Sequence, residues 1–324
     1  MSGAHEAWRK LLNRLWAVTS YFNPAGYRRK LPNYRLFRQR LAVPLLAVEL
    51  SHGAQLELGP GDADILVQLR GGDVMWQKER LLNVATSRLP DECDYMAWLD
   101  CDVVFGRSDW VSAAIRKLDR TSVCQLFQSV HHLARDAASI GRETSFLCQD
   151  SLAYALVSGL VTSVTAVVNG DGGTLKRGHA WCARRELIAA HGLYDRNVLG
   201  GGDSLLVHAA AGLAEEVIVR HGMAPGHADD YRRWAARFGR AVSAIGYIDG
   251  DIFHLWHGDL RRRHYRMRQR ILSSCGYDPA TDIALDAEGC WRWCSPKPEL
   301  HRLVREYFEQ RDEDGEERDC HGHT

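Results

Sequence analysis

Two aspartates, Asp100 and Asp102, stand within an otherwise apolar run at residues 95–105. Side chains alternate along a strand, so both carboxylates are expected to project to the same side. Paired carboxylates at the edge of a sheet are costly unless a cation or strong donors compensate them. The pattern therefore favours Mg²⁺ or Mn²⁺ shared with a phosphate ligand. A strand that frays into a polar turn is the alternative.

Two histidines, His254 and His257, lie three residues apart. At this spacing two imidazoles can approach one ion from a turn or from the start of a helix, and imidazole suits Mn²⁺ or Zn²⁺. The alternative is a pair of polar residues at a strand-to-helix junction, since the chain has 15 histidines. The sequence has no H-E-x-x-H motif, which argues against a zinc peptidase.

Three glycines at residues 200–202 precede Asp203. Consecutive glycines permit positive φ and a close approach of the backbone to a ligand. Asp203 is then either a general base beside that ligand or an N-cap residue after a flexible turn. The sequence has neither G-x-G-x-x-G after a strand nor G-x-x-x-x-G-K-[ST]. Rossmann cofactor binding and P-loop chemistry are therefore unsupported.

Six arginines lie within residues 261–270, on a predicted helix over residues 260–273. They surround much of the helix, so some must be solvated. One face could reach a diphosphate or an anionic acceptor.

The elements that must position these residues alternate short apolar runs with amphipathic segments, which predicts an α/β fold. Strands are predicted at residues 15–22, 45–50, 65–69 and 95–105, helices at residues 76–88 and 298–311, and an irregular region at residues 128–177. Neither a repeat nor a long linker is visible, so a single domain over residues 1–311 is expected. The acidic residues 312–324 are predicted to be a frayed tail.

The composition excludes several classes of protein. The chain has 324 residues, 45% of them hydrophobic, and 41 basic residues balance 41 acidic ones. Such a chain can bury a core, and it has no global field for nucleic acid or an anionic membrane. An odd count of nine cysteines and the absence of a signal-peptide pattern predict a cytoplasmic protein with reduced thiols. Residues 151–170 carry no charge, and we expect a buried small-residue segment there rather than a membrane span.

Taken in order, these motifs give the chain a resemblance to the GT-A glycosyltransferases. It is most similar to the β-1,4-galactosyltransferase and chondroitin-polymerase-like group, of the family 2 and family 7 type. The motifs that carry the resemblance are residues 76–84, the Asp100-Cys101-Asp102 element, residues 178–185 with 191–195, the Gly201-Gly202-Asp203 element and the His254-x-x-His257 pair. The family has two adjacent acids after its glycines, whereas here Ser204 follows Asp203.

The resemblance implies a GT-A fold, that of the nucleotide-diphospho-sugar transferases, with a mostly parallel central sheet flanked by helices. It implies a metal-dependent, inverting, hexosyltransferase-type enzyme that uses a UDP-sugar. The implied site residues are Thr19, Trp76, Lys78 and Asp100 for the nucleotide sugar; Asp102, His254 and His257 for Mn²⁺ or Mg²⁺; Asp203 for the base; and Trp181, Gly201 and Gly202 for the acceptor. For Trp181, packing in the core is an equal alternative.

Two other functions fit the same fold. A sugar nucleotidyltransferase would show a Gly-rich, Lys-containing signature near the N-terminus, and residues 15–29 lack one. A non-catalytic nucleotide-sugar-binding module is the second alternative. The acceptor is expected to be a hydroxyl group of a glycan, with a protein, a lipid-linked sugar or a modified nucleic-acid base as alternatives.

Overall fold

The computed structural model describes residues 14–53, 55–164, 175–264 and 267–315. Thirteen strands lie within these ranges: β1 (Leu15–Phe22), β2 (Leu45–Ser51), β3 (Ile65–Arg70), β4 (Tyr95–Leu99), β5 (Val103–Phe105), β6 (Val123–Gln125), β7 (Ser129–Leu133), β8 (Ser145–Asp150), β9 (Ala180–Arg184), β10 (Ile245–Tyr247), β11 (Asp251–His254), β12 (Ile283–Leu285) and β13 (Trp291–Trp293). Eleven α-helices accompany them: α1 (Lys30–Arg40), α2 (Lys78–Thr86), α3 (Trp110–Leu118), α4 (Leu152–Val157), α5 (Arg185–His191), α6 (Gly202–Ala210), α7 (Ala214–His221), α8 (Pro225–Ala241), α9 (Arg268–Ser274), α10 (Pro279–Asp282) and α11 (Pro298–Gln310). Short 3₁₀ helices cover Arg142–Thr144 and Leu260–Arg263.

Seven strands form the central sheet, in the order β10-β6-β9-β4-β1-β2-β3. Neighbouring strands are parallel except at β9, which runs antiparallel to both β4 and β6. A mostly parallel sheet places the carboxyl ends of its strands at one edge, where ligands bind in open α/β sheets. This architecture confirms the predicted α/β fold with a mostly parallel central sheet flanked by helices.

Both faces of this sheet are covered, which explains why its strands read as continuous apolar runs. In β2, every residue from Leu45 to Leu50 is buried. In β1, Val18 belongs to a core shared with α2, α6 and α8, whereas Leu15 and Ala17 belong to a second core shared with α1 and α3. Alternation along each strand thus supplies apolar contacts to helices on both sides.

The apolar run at residues 95–105 forms two strands rather than the single predicted strand. β4 belongs to the central sheet, and β5 belongs to a second sheet with the order β5-β11-β7-β8. Residues 100–102 form the turn between the two sheets. Carboxylates are costly inside a sheet that is buried on both faces, so the chain leaves the central sheet at Asp100. The expectation that Asp100 and Asp102 lie on one strand and project to the same side of it is therefore wrong, although both line the same cavity.

Residues 128–177 are more regular than the sequence predicts. Their described part contains the antiparallel pair of β7 and β8 and the helix α4. The Ser151 hydroxyl caps α4 by accepting a hydrogen bond from the N–H of Tyr154 at 3.1 Å. The soft turn predicted at residues 169–173 lies outside the described residues.

The uncharged stretch at residues 151–170 is partly buried, as far as it is described. Leu152 and Ala153 are fully buried in α4, whereas Leu160 is 62% exposed. Among the described residues, none of the helices combines the length and the apolar composition that a bilayer crossing requires.

The predicted arginine-rich helix over residues 260–273 is interrupted. The 3₁₀ helix Leu260–Arg263 ends at His264, whose φ of +45° is left-handed, and α9 begins only at Arg268. A left-handed residue cannot continue a right-handed helix. The arginines at residues 261–263 therefore lie on one element and Arg268 and Arg270 on another, whereas Arg266 lies outside the described residues.

The acidic tail predicted from residue 312 begins with a packed segment. Residues 311–315, which we call the C-terminal strap, lie against the loop that follows β1. The Tyr27 hydroxyl accepts a hydrogen bond from the N–H of Asp312 at 2.9 Å. The Asp314 carboxylate accepts two hydrogen bonds from the backbone N–H groups of residues 28 and 29, at 3.0 and 2.9 Å. The packed domain thus extends past the predicted boundary at residue 311, and the rest of the tail lies outside the described residues.

We expect Gly258 to be required for the strap to close. Its φ is +85°, and an added Cβ would lie 2.6 Å from the Asp312 oxygen and 2.9 Å from Glu313 Cα. Gly258→Ala should lower the free energy of unfolding by roughly 2–5 kcal/mol, through left-handed strain of about 1–2 kcal/mol and overpacking of about 1–3 kcal/mol. Urea unfolding monitored by tryptophan fluorescence would measure it.

Gly276→Ala is the matched control for this substitution. Gly276 also has a positive φ, +57°, but an added Cβ would meet nothing within 4 Å. In this variant the free energy of unfolding should fall by about 1–2 kcal/mol, the cost of the left-handed strain alone. Equal losses in the two variants would show that the strap does not pack on Gly258.

Candidate active site

A cavity of about 670 Å³ opens at the carboxyl edge of the central sheet. Its walls come from the loops after β1 and β4, the starts of α2 and α6, the loop before β9, and the C-terminal strap. Eight of the eleven residues singled out in the sequence line it: Trp76, Lys78, Asp100, Asp102, Gly201, Asp203, His254 and His257.

Asp102, His254 and His257 form a close group of potential metal ligands, which we call the Asp–His cluster. One ligand atom from each lies within 4.8 Å of the others. His257 Nε2 is 2.9 Å from Asp102 Oδ2, His254 Nε2 is 3.7 Å from Asp102 Oδ1, and the two Nε2 atoms are 3.2 Å apart. Two ligand atoms that are each about 2.1 Å from one ion and subtend a right angle at it lie roughly 3 Å apart. The spacing fits a single divalent cation.

Strand pairing explains how residues so distant in the sequence meet. His254 ends β11 and pairs with Val103, the first residue of β5, in antiparallel register. Asp102 precedes Val103, and its carbonyl oxygen accepts a hydrogen bond from the N–H of Leu255 at 2.8 Å. The ring of His257 then lies 4.9 Å from that of His254. The register of β5 against β11 therefore brings the Asp–His cluster together.

The electrostatics of the Asp–His cluster also suit a cation. Burial, reinforced by the neighbouring His132 and His179, lowers the pKa of His254 well below its ordinary value. A neutral imidazole offers a lone pair to a metal. Asp102 Oδ1 is buried and has no hydrogen-bond partner among the described groups. An uncompensated buried carboxylate oxygen is costly, and a divalent cation bound to it would remove that cost. These residues therefore fit Mn²⁺ or Mg²⁺.

Two charged residues lie against His257: Glu313, which the sequence did not single out, and Arg263, which belongs to the arginine run at residues 261–270. Glu313 in the strap is 5% exposed and places Oε1 3.6 Å from His257 Nδ1. Arg263 Nη2 lies 2.9 Å from His257 Nε2. A carboxylate on the far ring nitrogen of a ligating histidine fixes its tautomer and orientation. Ligation through Nε2 requires the guanidinium of Arg263 to move off that atom.

The pKa of His257 reflects these contacts. Burial lowers it and Arg263 lowers it further, but the carboxylates of Asp102 and Glu313 outweigh both, so the net pKa lies above the ordinary value. His257 Nε2 lies 2.9 Å from Asp102 Oδ2 and Nδ1 lies 3.6 Å from Glu313 Oε1, so both carboxylates favour the protonated ring. These contacts hold it in the place that a ligand would need.

Two further imidazoles that sequence reasoning missed pack beside His254. His132 pairs with His254 across β7 and β11, and their Nδ1 atoms lie 3.3 Å apart. His179 has a left-handed φ of +80° and places Nδ1 3.4 Å from Asp100 Oδ2. Burial lowers the pKa of both rings, to about 2 for His132. Their positions depend on sheet register and loop geometry, which no local pattern signals.

A second group, which we call the lysine cluster, joins Lys78 to Asp100 and Asp203. Lys78 Nζ is 2.6 Å from Asp100 Oδ1 and 3.2 Å from Asp203 Oδ2. Burial lowers the pKa of Lys78, but the surrounding carboxylates raise it by more. At Asp100, Lys78 and His179 outweigh burial and hold the pKa below its ordinary value, whereas at Asp203 burial prevails and raises the pKa. Asp203 is therefore the more basic of the two carboxylates.

The glycine run lets two side chains approach the backbone closely. Gly200 has a φ of +75°, and an added Cβ would lie 2.9 Å from the Trp76 ring. Gly201, with a φ of +96°, lines the cavity. An added Cβ at Gly202 would collide with the Glu79 carboxylate. Gly202 therefore faces Glu79 and not the main cavity, which corrects its assignment to the acceptor.

Trp76 forms part of the cavity wall, between aromatic and cationic neighbours. Its ring stacks on Phe308, with centroids 6.3 Å apart and an interplanar angle of 23°. The guanidinium carbons of Arg268 and Arg311 lie 5.9 and 5.2 Å from its centroid, where cations are attracted to an aromatic face. The indole is therefore fixed beside positive charge that could face an anionic ligand.

Two other sequence assignments are wrong because the side chains are fully buried. Thr19 points into the sheet and donates a hydrogen bond to the Leu99 carbonyl oxygen at 2.8 Å, while the next residue, Ser20, lines the cavity. Trp181 stacks on Trp98 in the core, with ring centroids 6.5 Å apart. Its position on β9, flanked by β4 and β6, leaves no face for an acceptor.

No family model matches the sequence, and no curated protein matches it. Several solved structures are similar. S. aureus TarS in complex with UDP-GlcNAc has a TM-score of 0.39 and 8% identity, covering 92% of this chain and 72% of that chain. M. tuberculosis glucosyl-3-phosphoglycerate synthase has a TM-score of 0.38 and 13% identity, covering 87% and 88%.

A third similar structure is the 4-diphosphocytidyl-2C-methyl-D-erythritol synthase of Anaerococcus prevotii. Its TM-score is 0.34 with 11% identity, covering 75% of this chain and 89% of that chain. These values describe a distant similarity, so we base the function proposed below on the geometry of the cavity.

Glu79, which the sequence did not single out, provides a pH-dependent test of this site. Burial raises the pKa of its carboxyl from the ordinary 4.5 to about 7, although Lys78 opposes the change. The native protein therefore holds a proton that the unfolded chain releases, and the resulting stabilisation is full below about pH 4.5 and lost as the pH rises to about 7. Relative to Glu79→Gln, the wild type should lose roughly 3 kcal/mol of unfolding free energy over that interval. Urea unfolding at several pH values would measure this. A difference in unfolding free energy between the wild type and Glu79→Gln that does not change with pH would contradict it.

Proposed function

We propose that this protein is a metal-dependent glycosyltransferase that moves a sugar from a UDP-sugar to a hydroxyl group of an acceptor. The observation that carries the proposal is that the Asp–His cluster and the lysine cluster line one cavity at the carboxyl edge of a mostly parallel sheet. The first cluster suits a divalent cation and a diphosphate, and the second contains a carboxylate suited to deprotonate a hydroxyl group.

The Asp–His cluster would hold Mn²⁺ or Mg²⁺, and its two imidazoles favour Mn²⁺. A cation there supplies Lewis-acid neutralisation of the charge that grows on the departing diphosphate. The protein's part is to hold the ligand atoms ready. The pairing of β11 with β5 fixes His254 beside Asp102, and Glu313 orients His257 from the strap.

Asp203 is the proposed general base. Its raised pKa makes its carboxylate more basic than that of Asp100, and Lys78 orients it from 3.2 Å. An acceptor hydroxyl within hydrogen-bond reach would pass its proton to Asp203 as its oxygen attacks the anomeric carbon. The bond from that carbon to the diphosphate oxygen breaks, and UDP leaves with the bonding electrons. A single displacement of this kind inverts the anomeric configuration.

Trp76 and Asp100 are the proposed contacts for the nucleoside. Trp76 forms an aromatic wall with Phe22 and Phe308 on the donor side of the cavity. Asp100 is held ionised by Lys78 and His179, so it can accept hydrogen bonds from ribose hydroxyl groups.

The Asp–His cluster should make UDP binding depend on Mn²⁺. In calorimetric titrations, UDP should bind the wild type at least about tenfold more tightly with Mn²⁺ than with EDTA. Asp102→Asn should abolish this gain, and His257→Ala should reduce it without abolishing it. His301→Ala, which removes an imidazole packed on Trp293 away from the cavity, should behave as the wild type. Equal UDP affinity with and without Mn²⁺ in the wild type would contradict the proposed cation site.

Asp203→Asn should separate chemistry from binding. Mn²⁺-dependent UDP affinity should stay within about twofold of the wild type, while UDP release from UDP-glucose, UDP-galactose or UDP-GlcNAc should slow by about 10²–10⁴-fold, the range of a lost general base. A coupled assay for UDP across these donors would measure the rate. Undiminished release would place the base elsewhere. UDP binding without release from any donor, in the wild type, would favour the non-catalytic module.

A further inference from the structure

Beyond Asp203 the described wall of the cavity carries basic side chains and no carboxylate. This part of the wall, which we call the basic end, is formed by residues 175–178 before β9 and by Arg220 and His221 in the last turn of α7. An added Cβ at Gly178 would lie 2.8 Å from Asp203 Oδ2. The basic end therefore begins directly beside the proposed base.

Neutral groups hold Arg220 in place. Its Nη2 donates a hydrogen bond to Ser204 Oγ at 3.0 Å and lies 3.1 Å from His208 Nε2. In the part of the chain that the structure describes, no carboxylate oxygen lies within 4.0 Å of its guanidinium. Ser204 follows Asp203 in α6, so these contacts fix Arg220 close to the base.

Arg220 has Arg177, His208 and His221 as basic neighbours, and Glu216, four residues earlier in α7, as an opposing negative charge. Burial, followed by Arg220, lowers the pKa of Arg177 to about 10. Burial, followed by Arg220, lowers the pKa of His221 to about 3. At His208 burial prevails over a hydrogen bond to the Ser204 backbone, and Arg220 and Arg177 add to it, giving a pKa of about 4. Like charges held together raise the free energy, and a bound anion would offset it.

Different residues of the cavity wall form the basic end and the Asp–His cluster, and residues 177–179 connect the two. The chain at residues 177–179 runs from the basic end, past Asp203 at Gly178, to His179. The ring of His179 then packs against His254, with centroids 4.9 Å apart. A diphosphate held at the Asp–His cluster would thus leave the basic end open to a different anion.

We propose that the basic end binds an anionic group of the acceptor, a phosphate or a carboxylate, and thereby presents the acceptor hydroxyl to Asp203. This inference rests on the function proposed above. The planar fork of a guanidinium matches both anions, and the charge strengthens each hydrogen bond. The attack at the anomeric carbon is the one already described, and the anionic group takes no part in the bonds that form or break.

Binding of three matched hexoses to the full chain loaded with Mn²⁺ and UDP would test this inference. The probes are glucose, glucose 6-phosphate and glucuronate, which differ in charge at one position. At least one anionic hexose should bind at least about tenfold more tightly than glucose, and Arg220→Gln should remove about tenfold of that preference. Arg220→Lys should retain part of it. Arg232→Gln is the control, because Arg232 pairs with Glu215 and Asp229 outside the cavity.

The outcomes separate the two proposals. Whichever anionic hexose binds more tightly identifies the anion. Equal affinity for the three hexoses, or no binding of either anionic one to the UDP-loaded protein, would overturn the inference while leaving the donor site intact. If Arg220→Gln weakened the binding of UDP as much as that of the anionic hexose, the basic end would belong to the donor site. That result would also overturn the inference. Loss of Mn²⁺-dependent UDP binding in the wild type, measured first, would overturn both proposals.

Discussion

Four carboxylates, one buried and three half-buried, meet at one end of the cavity, and the cost of removing them from water governs the rest of the site. Lys78 compensates Asp100 and Asp203 through contacts of 2.6 and 3.2 Å, and Arg311 pairs with Glu313. The imidazole of His257 lies 2.9 Å from Asp102 Oδ2, whereas Asp102 Oδ1 has the imidazole of His254 3.7 Å away and no hydrogen-bond partner among the described groups. A buried carboxylate must be paired or bind a cation. The incompletely compensated charge of Asp102 therefore marks the position at which a metal would bind.

The fold supplies the geometry through a change of sheet. β4 ends in the central sheet at Leu99 and β5 begins in the second sheet at Val103, so residues 100–102 are presented at the junction. β11 crosses from the other side and carries His254 to the same point. The strap then closes over His257 and adds Glu313. Strand pairing fixes His254 beside Asp102, and the segment after β11, covered by the strap, places His257.

Much of the fold follows from local patterns, because strands buried on both faces read as continuous apolar runs. Apolar patterns predict three strands and one helix that match β1, β2, β3 and α2: residues 15–22, 45–50 and 65–69 and the helix after Trp76. The division of residues 95–105 does not, since one apolar run can serve two sheets. Regular structure within residues 128–177 is equally hidden, because β7 and β8 carry polar and apolar residues without a clear period.

The candidate site shows the same division. Asp102, His254 and His257 were singled out from residue type and spacing, and the structure brings them together; their role remains the proposal made here. Residue type gave the wrong assignment for Thr19 and Trp181, which were expected to bind the donor and the acceptor. Their burial depends on which face of the sheet is covered. Glu313 and Arg220 were missed, because their meaning comes from neighbours far away in the sequence. Only tertiary packing places a tail carboxylate on a histidine and an arginine beside Asp203.

Pulsed electron paramagnetic resonance on Mn²⁺ bound to the protein with UDP would test the metal assignment most directly. The account predicts modulation from two coordinated imidazole nitrogens, one of them absent in a variant with His254 replaced, together with hyperfine coupling to phosphorus of the diphosphate. Mn²⁺ coordinated by phosphate and water oxygens alone, with no nitrogen coupling, would contradict it.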